Sequence, residues 1–458
     1  MLVGTRILIV YDLSKYIFKD APDTVPTIFV CQKADPSEEI ESHAVKAFQL
    51  RSAGGIPAFA RGDNQIEGVI TQKLFLESDR KRINPQLARP TSFLIKKLTE
   101  NSEPLRNLAV ASQGIKPYAT KDEKKDAEYV SFAPKGKEWS RTVRGRDIGR
   151  YWLNWNGEYA KYGDWLYSKP RKEFESCDCI FYQRLRKASL FPRIVATFAD
   201  TSDIKPLAAC SILKLVGDQP MSIYTLLAIL NSNCINMWYK DFDQDVEIKI
   251  ESVLSIPIRR ISFTTLAADR TLLVEEAKKF YIAPDFVSLL KLVDECLPKD
   301  ASGNFVIEKE KSDVVHDILA FLAEQMIEMN KQKQSEIKSF LDFLKGEIGA
   351  PIEELSNKTA IQEYYKNAFQ KLIDVLVKNK KNFRAEYDPK SPTSYKHLLE
   401  WYNASMDKLK PLMDRIEATD RIIDQVVYKL YGLTDEEIKI VEGISGSKNA
   451  PKEEDVDV

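Results

Sequence analysis

Apolar and polar positions along the chain fall into three regimes. Near the start, RILIVYDL (6–13) and TVPTIFVCQ (24–32) are short β-branched apolar runs separated by a segment carrying Pro22 and Asp23. They predict two strands flanking a connection. QKLFLESDRKRINP (72–85) reads as a polar, surface-like stretch. Two strands with so few partners do not make a stable sheet, so residues 1–100 are expected to be the edge of something larger. From about 101 to 265, short strand-like runs alternate with loops rich in Gly, Pro and aromatics. From about 266 to 458 the spacing turns helical. Val315, Ile318, Leu319, Leu322, Met326, Met329, Ile337, Leu341, Leu344 and Ile348 recur at intervals of three and four, and predict a helix over 314–348. IQEYYKNAFQKLIDVLV (361–377) repeats the pattern, as do Leu409, Leu412, Ile416, Ile423, Val426 and Leu430. Gly432 is placed as a C-cap, and Thr434 with Glu437 makes a capping box for a last short helix. The tail GSKNAPKEEDVDV (446–458) is polar and expected to fray.

Composition changes this picture in one place. A chain of 458 residues with 44% apolar and 29% charged residues implies globular structure, and its length suits two to four domains at roughly 100–200 residues each. No apolar run approaches the roughly 18–20 residues of a membrane helix, and the N-terminal stretch lacks the features of a signal peptide, so a cytoplasmic protein without a membrane partner is expected. The formal net charge of −1 argues at first against a nucleic-acid partner. That average hides a local excess. Residues 135–193 hold 14 Lys and Arg against seven acids, a balance of +7, together with four of the six tryptophans. Guanidinium and ammonium groups neutralise phosphates and release counterions, Arg reads guanine edges, and aromatic rings stack on bases. An aromatic core beneath a solvated basic face accounts equally for the composition.

Other chemistry is thin. Cys31, Cys177, Cys179, Cys210, Cys234 and Cys296 are scattered, and the CxC of Cys177 and Cys179 has no second pair or nearby His to complete a zinc site. His43, His316 and His397 lie far apart, the latter two in helix-like contexts that suggest packing. DFDQDVEIKIE (241–251) places Asp243, Asp245, Glu247 and Lys249 like a metal-dependent nuclease tripeptide, yet an edge strand over VEIKI is the better reading. No GxSxG, HExxH or Walker glycine loop is present.

The order of motifs carries a resemblance. RTVRGRDIGRYW (141–152), YAKYGDWL (159–166), TLLAILNSNCINMWYKDF (225–242) and LSIPIRRISF (254–263) resemble the TaqI-like C-terminal specificity domain of adenine-N6 DNA methyltransferases, including the fused type IIG restriction-and-modification enzymes. IEATDRIIDQVVYKLYGLTDEEIKIVEG (416–443) is similar to the C-terminus of those enzymes, and VYDLSKYIFKDAPDTVPTIFVCQK (10–33) to the strand pair near the end of their catalytic domain. Residues of about 297–400 match nothing in that pattern. The resemblance implies an α+β fold in three parts: residues 1–100 as the partial edge of an α/β methyltransferase sheet, 101–265 as a mixed α/β target-recognition domain, and 266–458 as a long-helix region. It further implies that Phe18 holds the place of the aromatic that stacks on a flipped adenine. DNA contacts are expected from Arg141, Arg144, Arg146 and Arg150, and from Arg171, Lys172, Arg184 and Arg186, with Tyr151, Trp152 and Trp165 shaping the loops or meeting bases.

One departure matters. The (N/D)PP(Y/F) motif and the glycine loop for S-adenosylmethionine that the family uses are missing, and NPQL at Asn84 is not that motif. The chain is therefore expected to be the C-terminal part of a longer enzyme or one half of a split one. It binds no cofactor or metal by itself, and works on double-stranded DNA with a methyltransferase catalytic domain supplied in cis or in trans. A reading of a different class makes it a non-catalytic scaffold whose long helices hold a partner and whose basic stretch is incidental.

Overall fold

The computed structural model describes residues 4–13, 26–35, 40–49, 56–61, 68–77, 83, 92–118, 128–217, 219–243 and 245–445. Phe18, Asn84 and the tail 446–458 lie outside the described residues. The chain divides into two compact units, one of residues 1–318 with 424–458 and one of 319–423.

The first unit begins with a small sheet. Strands β1 (Thr5–Asp12), β2 (Thr27–Lys33), β3 (Ala44–Gln49) and β4 (Gly68–Thr71) lie in the order β2-β1-β3-β4, with β1 and β3 parallel. The two expected strands form, and two further ones complete a four-stranded sheet, β3 pairing with β1 and β4 with β3. The stretch from 72 is not a polar surface. Helix α1 (Ile56–Arg61) precedes β4, and α2 (Gln72–Glu77) follows it, burying Phe75 among Ile7, Val10, Val45, Ala47 and Ile70. Gln72 ties the helix to the sheet: its Oε1 accepts the N–H of Ile7 at 2.9 Å and its Nε2 donates to the carbonyl of Thr5 at 2.8 Å. Helix α3 (Ser92–Thr99) leads into the next part.

That part is built on two four-stranded sheets. Strands β5 (Ser102–Pro104), β6 (Ala109–Gln113), β7 (Val130–Ser131), β8 (Trp139–Val143), β9 (Ile148–Gly149), β10 (Trp152–Leu153), β11 (Tyr159–Lys161), β12 (Asp178–Gln183), β13 (Ala196–Asp200), β14 (Ile204–Pro206), β15 (Cys210–Leu215) and β16 (Pro257–Arg259) follow in chain order. One sheet runs β13-β12-β15-β6 and is antiparallel throughout; the other runs β14-β8-β11-β7. β12 reads DCIFYQ and is buried on both faces, so its apolar residues are continuous rather than alternating. Gly114, where β6 ends, is held so close to the backbone of β14 that a Cβ there would sit 2.4 Å from the carbonyl oxygens of Pro206 and Leu207.

The sequence TLLAILNSNCINMW explains how the first of these sheets is closed. Helices α4 (Ile223–Asn231) and α5 (Asn233–Phe242) are buried along nearly their whole length, which an all-apolar run such as LLAIL requires. Ser222 caps α4, its hydroxyl accepting the N–H of Tyr224 at 3.2 Å. β13 is the sheet's edge, and its outward backbone groups need partners. Asn231 Oδ1 accepts the N–H of Ala196 at 3.1 Å, and its Nδ2 returns a bond to the carbonyl of Ala196 at 3.0 Å. Asn236 Oδ1 accepts the N–H of Ile194 at 2.6 Å. Two asparagine amides thus stand where a neighbouring strand would pair.

VEIKI is not an edge strand. Among the described residues one bridge, Leu185 to Glu247, is all the pairing it makes, and helix α6 (Ile250–Val253) starts within it. Its charges are spent in ion pairs: Glu247 with Arg184 at 2.7 Å and Asp245 with Lys249 at 2.6 Å. Among the described residues no cluster of His, Cys, Asp and Glu could hold a metal ion. Helices α7 (Ala267–Ile282) and α8 (Phe286–Cys296) complete this stretch of the unit.

Helix α9 (Ser312–Ile348) realises the predicted amphipathic stripe. His316, near its start, is a packing residue as expected: its Nε2 accepts the N–H of Ser222 at 2.8 Å. The segment 361–377 is not one helix. It divides into α10 (Lys358–Gln362), a 3-10 turn (Tyr364–Lys366) and α11 (Phe369–Asn379). Tyr364 is the reason, since it turns inward to stack on Phe340 at 4.0 Å and to bond Ser405 at 2.6 Å. With Leu344, Ile361, Leu372, Leu376 and Leu398 these rings make the core of the second unit. Helix α12 (Pro392–Leu430) carries the last apolar series, and Gly432 beyond it takes φ +71°, as a C-cap glycine does. The capping box of α13 (Asp435–Ser445) forms, with the N–H of Glu437 bonding the hydroxyl of Thr434 at 3.3 Å and the N–H of Thr434 bonding the carboxylate of Glu437 at 2.7 Å.

Candidate nucleic-acid interface

The sheet β14-β8-β11-β7 has two unlike faces because side chains alternate along each strand. Ala160 and Val130 point one way, onto Ile115, Leu166 and Leu207. The other parity places Trp139 and Arg141 of β8 beside Lys161 and Tyr159 of β11, which pair Tyr159 with Arg141 and Lys161 with Trp139. Onto this face the following loops lay two more indoles. Trp155 donates from Nε1 to the carbonyl of Glu158 at 2.6 Å and meets the edge of Tyr159 at 5.1 Å. The guanidinium of Arg141 lies 4.7 Å from the centre of Trp155, and the ammonium of Lys161 lies 4.9 Å from that of Trp165. Lys135 comes within 5.8 Å of the Trp139 ring. Trp165 can lie where it does because residue 163 is glycine; a Cβ there would be 2.2 Å from its ring. Phe132, just past β7, is 73% exposed.

The expected arginine cluster therefore divides. Arg141, Arg146, Arg171 and Lys172 are exposed, with Arg141 in only a loose 3.4 Å contact with Asp203 and Arg171 paired to Glu173 at 2.8 Å. The others brace the fold. Arg144 bonds Glu158 at 2.7 Å, and Arg150 donates to the carbonyl of Asn231 at 2.9 Å. Arg184 joins Glu247, and Arg186 donates to the carbonyl of Pro192 at 2.8 Å and to Gln183 at 3.1 Å. Tyr151 is a core residue with no exposed surface, its backbone at φ +64° and its N–H bonded to Ala196, so it shapes the loop and offers no ring to a base. Trp152 packs over Gly149, where a Cβ would lie 2.0 Å from its ring, and is half-buried. Trp165 is exposed and belongs to the cationic face.

Sequence reasoning passed over Trp155, Tyr159, Lys161 and Phe132 as site residues. The signal was present in W-S-R and Y-A-K, whose alternation puts one ring and one cation on the same side of each strand. Arg193, one of the 14 cations counted between 135 and 193, is wholly buried, donating to the carbonyls of Arg186 and Lys187 at 2.7 and 2.8 Å. Burial lowers its pKa. Burial also pushes the carboxyl of Asp147 up to about 6, although the backbone N–H of Arg144 donates to it at 2.7 Å. This carboxyl closes the RGRD turn that presents Arg146.

Trp139 is a core ring beneath this face, while the exposed Arg141, Trp165 and Phe132, with half-buried Trp155, Tyr159 and Lys161 beside them, can grip phosphates and stack or wedge against bases. Residues 140–258 match the TaqI-like C-terminal specificity domain family. That match spans β8 to β16 and so contains Arg141, Trp155, Tyr159, Lys161 and Trp165. Residues 312–427 match a second family, described as a domain of unknown function (DUF8810), which takes up much of the stretch that the motif order left unmatched. No curated protein matches the chain. Among solved structures, that of the type IIG restriction endonuclease BpuSI aligns with 69% of this chain and 44% of its own length, at 11% identity and a TM-score of 0.26, a likeness too slight to carry an argument. Among the described residues no helix is long and apolar enough to cross a membrane.

Proposed function

We propose that this chain recognises duplex DNA through its specificity-domain segment, as the target-recognition portion of a restriction–modification enzyme. The observation that carries this reading is the in-register pair of Arg141 and Tyr159 with Lys161 beside it, Trp155 and Trp165 laid against the two cations, inside the segment that matches the specificity family. Phosphate neutralisation by Arg141, Arg146 and Lys161 supplies sequence-independent affinity, and exposed rings supply stacking.

The finer reading is adenine-N6 methylation carried out by a catalytic domain in cis or in trans. That domain holds S-adenosylmethionine, flips the adenine and supplies the methyl group. No residue described here is assigned to the cofactor, because the chain has no (N/D)PP(Y/F) turn to receive an adenine amine beside it. The sheet of β1 to β4 supports a place for such a partner. Its outermost strand, β2, leaves Ile28, Phe29 and Val30 about 40% exposed on both faces, as a strand does when a neighbouring sheet is meant to continue it. This reading places the protein in the cytoplasm, where the cofactor and the DNA are.

Fluorescence anisotropy with labelled duplexes tests the first reading. Affinity should fall steeply with salt, and Arg141→Ala with Lys161→Ala should weaken binding and flatten that dependence. Binding insensitive to salt, or no binding to any duplex, would overturn it. Methyl transfer restored by adding a glycine-loop and (N/D)PP(Y/F) domain in trans would support the finer reading, and its absence would favour the scaffold alternative.

A further inference from the structure

Between β11 and β12 the segment YGDWLYSK (162–169) sets two exposed rings, Trp165 and Tyr167, on either side of a buried Leu166 in sequence. Leu166 packs on Ile115, Ala160 and Leu207, and its N–H donates to the carbonyl of Gly163 at 3.3 Å, which closes the turn. The segment is then tied to the chain that leaves β6. The N–H of Lys116 donates to the carbonyl of Ser168 at 2.8 Å, and the N–H of Ser168 returns a bond to the carbonyl of Lys116 at 3.0 Å. With its backbone held and Leu166 turned inward, the segment leaves Trp165 46% and Tyr167 63% exposed.

Each ring has an ammonium of its own. Lys161 lies 4.9 Å from the centre of the Trp165 ring, and Lys116 lies 5.1 Å from that of Tyr167. Neither lysine forms an ion pair among the described residues, whereas Lys169, at the end of the segment, is paired with Asp164 at 2.5 Å. Two rings in solvent, each with an unneutralised cation beside it, select one kind of nucleic acid. In an intact duplex the base faces are covered by their neighbours in the stack, and only the edges are open to a protein. A side-chain ring therefore stacks face to face only on a base that has left the stack. Successive unpaired bases offer such faces, with a phosphate between them for each ammonium.

We propose that Trp165 and Tyr167 stack on unpaired bases of a DNA strand whose phosphates are met by Lys161 and Lys116. The chain then has an affinity for single-stranded DNA besides its grip on the duplex. This site shares Trp165 and Lys161 with the duplex-binding face, while Tyr167 and Lys116 belong to it alone. It rests on the DNA-recognition reading in one respect, that the strand is taken to be DNA.

The test titrates the full chain against a labelled oligothymidylate of about 12 nucleotides and, separately, a labelled duplex, by fluorescence anisotropy. Tyr167→Ala and Trp165→Ala should each weaken binding of the single strand by about 5- to 150-fold, with the salt dependence unchanged. Tyr167→Phe keeps the ring and should bind as the wild type does. Lys116→Ala should make the slope of log affinity against log salt shallower by about 0.7, the share of one phosphate on a single strand. An unchanged circular dichroism spectrum checks that each variant is folded, and Tyr167→Ala, at the more exposed ring, decides alone if Trp165→Ala is not. A wild-type chain that ignores the oligothymidylate overturns the proposal, as does Tyr167→Ala binding it normally. Equal weakening by Tyr167→Phe and Tyr167→Ala also overturns it, since the hydroxyl rather than the ring would then make the contact. A chain that binds the single strand through these rings and no duplex sinks the duplex reading and leaves this site standing.

Discussion

Asn231→Ala is the substitution whose effect can be followed furthest. The side chain is wholly buried and makes two bonds, both to Ala196 of the edge strand β13. Its removal does not treat the two backbone groups alike. The carbonyl of Ala196 keeps a partner, because the N–H of Tyr151 donates to it at 3.0 Å. The N–H of Ala196 loses its acceptor and is stranded in the core, which costs about 1–3 kcal/mol. The lost Nδ2 bond adds about 0.5–1.5 kcal/mol. Arg150 is unaffected, since it bonds the backbone carbonyl of Asn231, which the substitution retains. The expected loss is therefore about 2–4 kcal/mol, confined to the specificity segment. Urea unfolding followed by tryptophan fluorescence reads the first quantity. Hydrogen exchange of a peptide covering 194–200 reads the second, with protection at Ala196 falling by at least tenfold. A variant within 0.5 kcal/mol of wild type, as about the scatter of surface substitutions, with unchanged exchange would refute the strand-mimic role of Asn231.

Three other outcomes are expected. Glu310→Ala removes the partner of Arg259, a pair at 2.8 Å with side chains 0% and 3% exposed, and should cost about 3–5 kcal/mol in thermal or chemical unfolding, because a buried guanidinium is left uncompensated. Asp147→Asn keeps an acceptor for the N–H of Arg144 and removes a charge that the fold disfavours. A carboxyl raised from 3.8 to about 6 contributes stability that is full below the unfolded value and is lost as pH rises through 6. At pH 7.5 the variant should thus be the more stable, by up to about 3 kcal/mol at roughly 1.4 kcal/mol per pKa unit, with the advantage shrinking in melts towards pH 5. Gly114→Ala drives a Cβ to 2.4 Å from two backbone oxygens that have no freedom to yield, and should cost about 1–3 kcal/mol in urea unfolding.

What the sequence made legible was what repeats or sits next to itself. The helical stripe from Val315 to Ile348, the C-cap at Gly432 and the box of Thr434 with Glu437 are local, and local spacing sets them. The order of motifs likewise pointed to a specificity domain, and the family match over 140–258 covers those at 141–152, 159–166 and 225–242 and the first half of that at 254–263. The break at Tyr364 was not legible, because the gain from stacking on Phe340 comes from a residue 24 positions away. Nor was the helix at Gln72–Glu77, whose one inward ring, Phe75, needs the sheet to make its burial worthwhile.

For the candidate interface the division is sharper. The sequence alone set how much charge and how many rings lie between 135 and 193. It could not say which cations face outward, since Arg144, Arg150, Arg184 and Arg193 have the same chemistry as Arg141 and Arg146. Only the tertiary fold separates them, by bringing Glu158, Glu247 and backbone carbonyls to four of the arginines, while Arg141 lies against Trp155 and both Arg141 and Arg146 stay exposed. A guanidinium binds whichever acceptor reaches it first, and that is decided by strand register and helix packing across dozens of residues. Composition, which is a sum, cannot carry that information.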